Sequence, residues 1–160
     1  MRASSGSDYG MRYLSPVARL LLAFIFITAG LSKVSGWYET SLYMVSKGMR
    51  GIPFFLTAAI VIELVCGVAL LIGYRVRAAA LILFAYLIPV SLVFHDFWSF
   101  NGMEAQNQLI HFMKNVAIMG GLLTTVVHGA GAYSLDARHV SHDRDRDDVI
   151  DEDDVIRKAG

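Results

Sequence analysis

Hydrophobic positions along this chain gather into four long runs separated by short polar stretches. One of the longest extends from Ile52 to Gly73, where every side chain except Thr57 and Glu63 is apolar or small. Runs of that length are read as membrane spans. The pattern predicts spans over residues 15–34, 53–73, 77–97 and 107–128, each near the ~20 residues needed to cross a bilayer. Ser15 is expected as an N-cap, with Pro16 at the first helical position. Pro89 falls inside the third span and is expected to kink it, which membrane helices tolerate when neighbours satisfy the freed carbonyl.

The connections refine this reading. Only Tyr74–Val76 separates the second and third spans, so these two pack as antiparallel neighbours. The first loop is long enough for a short interfacial helix, and its Trp37, Tyr38 and Tyr43 favour the headgroup level. The third loop carries Trp98, Phe100 and the turn signal Asn101-Gly102. The expected fold is therefore all-α: a four-helix membrane bundle over residues 15–136. It follows a polar N-terminal segment, residues 1–14, and precedes an acidic, disordered tail, residues 137–160.

Composition agrees with a bilayer as solvent. The chain is 55% hydrophobic over 160 residues, too apolar for a soluble domain of this size. The run Leu20–Leu31 could imitate a signal-peptide core, but it continues into Lys33 and Trp37 without a clear cleavage site, so it is read as a retained span. Cys66 is the single cysteine, which excludes an internal disulfide and a CxxC redox pair. The formal charge is zero, yet residues 1–135 hold nine Lys/Arg against five Asp/Glu, and residues 136–160 reverse the balance. An apolar, basic body thus carries an acidic tail. Within the tail, Asp143, Asp145 and Asp147 match the first positions of a calcium loop. The required Gly and the closing Glu are replaced by Asp148 and Asp154, so that reading fails. Basic residues flank the spans as topology requires, and nucleic-acid binding is not expected. Arg2, Arg12, Arg75, Arg77 and Arg138 lie on the side shared by both termini. The positive-inside rule places that side in the cytoplasm of an inner membrane protein.

Polar residues inside the spans carry the candidate chemistry. A carboxylate at the centre of a span costs roughly 2.5–3.5 kcal/mol on insertion scales, so Glu63 is expected to face the bundle interior and have a partner. Counted from the outer surface, Glu63 lies roughly 15 Å deep and Lys114 roughly 10 Å deep. Lys114 is therefore the expected ion-pair partner, with Arg19 as the second candidate. Asn107, His111, Lys114 and Asn115 share one face of the fourth span. Ser91, His95 and Trp98 share a face of the third, and Lys33 closes a first-span face whose Ala23 and Gly30 allow close helix approach.

The outer half of the bundle thus collects Glu63, Lys114, His111, Asn115, Asn107, His95 and Lys33. These are candidates for ligand binding or proton relay. A quinone suits this setting: its tail would lie in lipid, its carbonyls accept from Lys114 or His111, and protons pass through Glu63. A haem bridging His95 and His111 is not expected, because both lie near the surface end of their spans. No metal set is evident. The competing reading makes Glu63 and Lys114 a register-setting pair in a non-enzymatic scaffold. A solute pathway would require a homo-oligomer, since four helices are few for a pore.

The ordered set of these residues resembles the DoxX family of small bacterial membrane proteins. The likeness runs through Arg19, Gly30 and Lys33 in RLLLAFIFITAGLSK, Glu63 and Gly67, and LLIGYRVRAAA at the end of the second span. It continues with Lys114, Asn115 and Gly120 in HFMKNVAIMGGLL and ends with GAGAYSLD, Gly129–Asp136. The resemblance implies a four-helix inner-membrane protein. It also implies redox association, since similar proteins serve a thiosulfate:quinone oxidoreductase or join an oxidative-stress complex. Protein partners in a membrane complex are implied with it. It carries over no catalytic residues, so whether the chain is itself an enzyme stays open.

Overall fold

In the computed structural model, residues 5–137 are described, with side chains from Tyr13 onward. The acidic segment with its DDVI repeats lies outside them. The architecture is all-α: α1 (Ser5–Ser35), α2 (Trp37–Ser46), α3 (Ile52–Ile72), α4 (Val76–Phe94) and α5 (Gly102–His128), with a 3-10 turn at Phe97–Ser99. Segments of α1, α3 and α5, and α4 with the turn after it, are long and apolar enough to cross a membrane. The first loop contains the expected short helix, α2.

Two boundaries differ from the sequence expectation. Helix α1 begins at Ser5, so Pro16 lies inside it rather than at its start. Ser15 does not cap the helix; its hydroxyl donates to the Ala130 carbonyl, 2.8 Å away. Helix α5 begins at the Asn101-Gly102 turn, five residues before the apolar run. A polar first turn can be helical without belonging to the membrane stripe, and hydropathy marks only the stripe.

Local chemistry explains where α3 stops. Gly73 adopts φ +75°, with its N–H on Leu70 and the Tyr74 N–H on the Ala69 carbonyl, the bond pattern of a Schellman cap. The chain then turns directly into α4. Helix α1 packs most extensively on α3, and α5 on α4, with α3 beside α4 and only slight contact between α1 and α5.

The apolar core is uneven along the bundle axis. Ala23, Phe26, Cys66, Leu70, Val76, Ala80, Leu83 and Leu122 are buried together. They fill mainly the half nearer the termini. The half farther from the termini holds an apolar cavity.

Candidate functional site

Glu63 is 4% exposed, and its partner is Lys33. The Lys33 ammonium donates to both carboxylate oxygens, at 2.8 and 2.9 Å, and Tyr86 Oη donates to Oε1 at 2.9 Å. Three helices, α1, α3 and α4, thus converge on one carboxylate. Gly30 makes the approach feasible: a Cβ there would sit 2.7 Å from Leu64 Cδ2. Gly67 does the same a turn deeper, where a Cβ would meet Ile27 Cγ1 at 3.0 Å. Close crossing at small residues brings Lys33, one turn beyond Gly30, against Glu63.

The expected Glu63–Lys114 pair is not formed. Lys114 is exposed on α5 and donates to His111 Nδ1 at 3.1 Å. The physical reason is helix order: α5 packs on α4, so equal depth does not bring Lys114 near α3. Arg19 is not a partner of Glu63 either. It is 4% exposed, and its guanidinium donates to the carbonyls of Ala130 at 2.8 Å and Tyr133 at 2.8 Å.

Beside the ion pair lies a cavity of about 490 Å³ between α2, α3 and α4. Its walls are almost wholly apolar, including Met44, Phe55, Leu56, Ala59 and Val90. Lys33 and Tyr86 enter its lining beside Glu63, and His95 at the C-terminal end of α4. Lys33 and Tyr86 are both bonded to Glu63, which itself stands behind them. Helix α2 roofs the cavity and is fixed at its far end. Tyr43 Oη donates to the Phe94 carbonyl at 2.9 Å, and Lys47 is paired with Asp96.

The remaining candidates form two separate groups. Near the surface, His95 and His111 stack face to face with centroids 5.2 Å apart. His95 Nδ1 donates to Gln108 Oε1 at 3.0 Å, and Gln108 in turn donates to Glu104. An axial haem ligand must aim a nitrogen at the iron, and two rings stacked on each other cannot hold one between them in that manner. Asn107 is exposed. Deeper, Asn115 is buried and donates to Ser91 Oγ at 3.1 Å, tying α5 to α4. Asn107, His111, Lys114 and Asn115 therefore do not join Lys33 and Glu63 in one constellation, and His95 reaches the cavity only from the end of α4.

Comparison with known proteins fits this architecture. The DoxX family model matches residues 15–96. The Escherichia coli (strain K12) inner membrane protein YqjF is 39% identical over 120 residues, covering 75% of this chain and 87% of that protein. The chain belongs to the DoxX family. Inner membrane protein YphA of the same organism is 31% identical over 122 residues, 76% of this chain and 87% of that protein. The Saccharomyces cerevisiae ER-derived vesicles protein ERV29 is 24% identical over 135 residues, 84% of this chain but 36% of that protein. No solved structure matches. This DoxX protein is an integral membrane protein, and two of its relatives are named as inner membrane proteins.

The glycine-rich ending of the DoxX body has a clear structural role. Residues 129–137 fold back across the end of the bundle where both ends of the described chain lie. Arg19 and Ser15 hold the carbonyl of Ala130 from α1. Asp136 accepts from the N–H groups of Arg75 and Val76 at 2.7 and 3.0 Å, capping α4 from a distant part of the chain. Its own N–H donates to the Gly73 carbonyl at 2.9 Å. Sequence reasoning missed Tyr86 and this strap. Tyr86 carries no charge to mark it in an aromatic-rich span. For the strap, the signal was the Gly-Ala-Gly-Ala-Tyr-Ser-Leu-Asp run itself, together with an Arg on the apolar stripe of α1.

Proposed function

We propose that this DoxX protein is a redox-associated membrane subunit that holds a quinone, or a similar lipid-soluble carrier, in the cavity of the outer half. The carrying observation is the junction of an apolar cavity with a buried, hydrogen-bonded ion pair. Ligand pockets of about 300–1,000 Å³ are typically apolar with a few placed polar groups, and this one has that character. Lys33 and Tyr86 are the groups able to face a carbonyl or hydroxyl head, with Glu63 setting the charge behind them. The redox association follows the family resemblance, and electrons would come from a partner because the single Cys66 is buried.

The test is the carrier content of protein purified from membranes in mild detergent. Wild type should retain quinone in amounts comparable to protein. Ala59→Trp, which fills the cavity one turn from Glu63, should lose it, and Tyr86→Phe should reduce it. Equal and negligible quinone in all three would discard the reading.

A second reading has its own observation. The Lys33 ammonium spends its donors on both Glu63 oxygens and, at 3.4 Å, on the Ala29 carbonyl. A self-satisfied pair of this kind serves a scaffold that fixes helix register. It predicts that a neutral Lys33→Met/Glu63→Gln double variant, once folded, keeps its protein partners in pull-downs. Both readings place the Arg75–Arg77 turn in the cytoplasm. A membrane-impermeant maleimide added to intact cells should then label Ser46→Cys and not Tyr74→Cys; the reverse pattern inverts the topology.

A further inference from the structure

At the end of the bundle opposite the carrier cavity, the strap encloses a second, open cavity of about 540 Å³. Arg75, Arg77 and His128 line it, with the backbone of Gly129–Gly131 as part of its wall. Neither arginine is in a salt bridge among the described residues. Arg75 lies over the Tyr74 ring, 5.9 Å from its centroid. Arg77 lies against the end of α5, with Nη2 donating to the Val127 carbonyl at 3.5 Å. Gly129, at φ +76°, permits this, since a Cβ there would stand 3.3 Å from Arg77 Nε. The one carboxylate in the lining, Asp136, already accepts from two backbone N–H groups at the start of α4. His128 donates through Nδ1 to the Thr124 carbonyl, which leaves Nε2 as its remaining polar atom.

We infer that this cavity is a binding site for the phosphate of an anionic phospholipid headgroup. Two exposed guanidiniums and an imidazole surround a concave surface at a helix-to-helix turn, the level at which lipid phosphates lie. Arginine presents a planar fork of donors that matches phosphate oxygens. Basic pockets between membrane helices commonly hold such headgroups. A simple topological role for the arginines would require positive charge at this end of the bundle, but not a concave surface on which both arginines and His128 converge. The site is independent of the carrier cavity and would anchor the strap to the leaflet.

The test is native mass spectrometry of the full-length protein, delipidated and then exposed to equal amounts of phosphatidylglycerol and phosphatidylcholine. Wild type should retain phosphatidylglycerol preferentially. Arg75→Gln/Arg77→Gln should lower that preference about thirtyfold, as expected for two near-surface cations. Arg75→Lys/Arg77→Lys should recover part of it. Both positions are exposed, so folding should survive; an unchanged melting temperature checks this, and Arg75→Gln alone serves where the pair does not fold. Equal retention of the two lipids by wild type, or an unchanged preference in the variants, overturns the assignment. So does displacement of the lipid by inorganic phosphate, which would mark a site for the free ion instead.

Discussion

Glu63 sits in the middle of a span at a cost that only partners can offset, and its environment shows how it is offset. Two oxygens receive three short hydrogen bonds, from Lys33 and Tyr86. Removing one member of a buried pair leaves the other charge uncompensated. A quarter of the Lys33 side chain is open, so its truncation is expected to cost less than a fully buried partner would. Lys33→Met should destabilise the protein by about 2 kcal/mol in detergent melting. The Lys33→Met/Glu63→Gln double variant should recover part of that loss, with a coupling of about 1–2 kcal/mol in a double-mutant cycle. Strictly additive losses would show that the pair contributes nothing as a pair. Lys114→Met provides the contrast. Its side chain is exposed and bonded only to His111, so the melting temperature should stay within the change expected for about 0.5 kcal/mol. A loss as large as that of Lys33→Met would place Lys114 back at Glu63.

At the scale of elements, the α1–α3 crossing decides the site. Gly30 and Gly67 each face the other helix at distances that leave no room for a Cβ without movement. Gly30→Val would push α1 away from Leu64 and carry Lys33 out of reach of Glu63. We expect a destabilisation of about 1–3 kcal/mol from overpacking alone, and loss of any bound carrier with it. Gly120→Ala is the matched control: a Cβ there meets nothing within 4 Å, and no loss is expected. If Gly120→Ala destabilises as strongly as Gly30→Val, then the α5 face at Gly120 is covered in the membrane. Gly73 is constrained twice, by φ +75° and by Arg19 Nη1, which would stand 2.5 Å from a Cβ there. Ala at this position should cost roughly 1–2 kcal/mol for the backbone alone, measured by thermal or denaturant unfolding.

For the whole molecule, the two ends of the bundle differ in construction. The end near the termini is crossed by the strap and carries the open, arginine-lined cavity, while the half farther from the termini contains the apolar one. Arg19 links them to the chain's path: it enters from α1 and fixes residues 130–133, which stand just before the α4 cap at Asp136. Arg19→Met should free the strap. Limited chymotrypsin digestion of the purified protein should then cut at Tyr133 at least several times faster than in wild type. Unchanged cleavage would show that Asp136 and Ser134 hold the strap without Arg19. The apolar cavity lies clear of the core, since none of the buried cluster residues lines it.

Sequence alone determined the four apolar spans, the short helix of the first loop and the burial of Glu63. Each of these follows from one-dimensional facts: the length of an apolar run, the aromatic content of a loop, and the cost of a charge in hydrocarbon. It also marked Ala23 and Gly30 as points of close approach, and the close packing at Gly30 is what the site depends on. The partner of Glu63 was different in kind. Depth along a span can be counted from the sequence, but which helices stand side by side cannot, and Lys33, Lys114 and Arg19 were separated only by that ordering. Tertiary structure placed α1 on α3 and α5 on α4, so that Lys33 and Tyr86 met the carboxylate while Lys114 faced outward. It likewise turned Arg19 from a candidate ion-pair partner into the anchor of the closing strap. Its guanidinium found backbone carbonyls more than a hundred residues away, a contact no local pattern encodes.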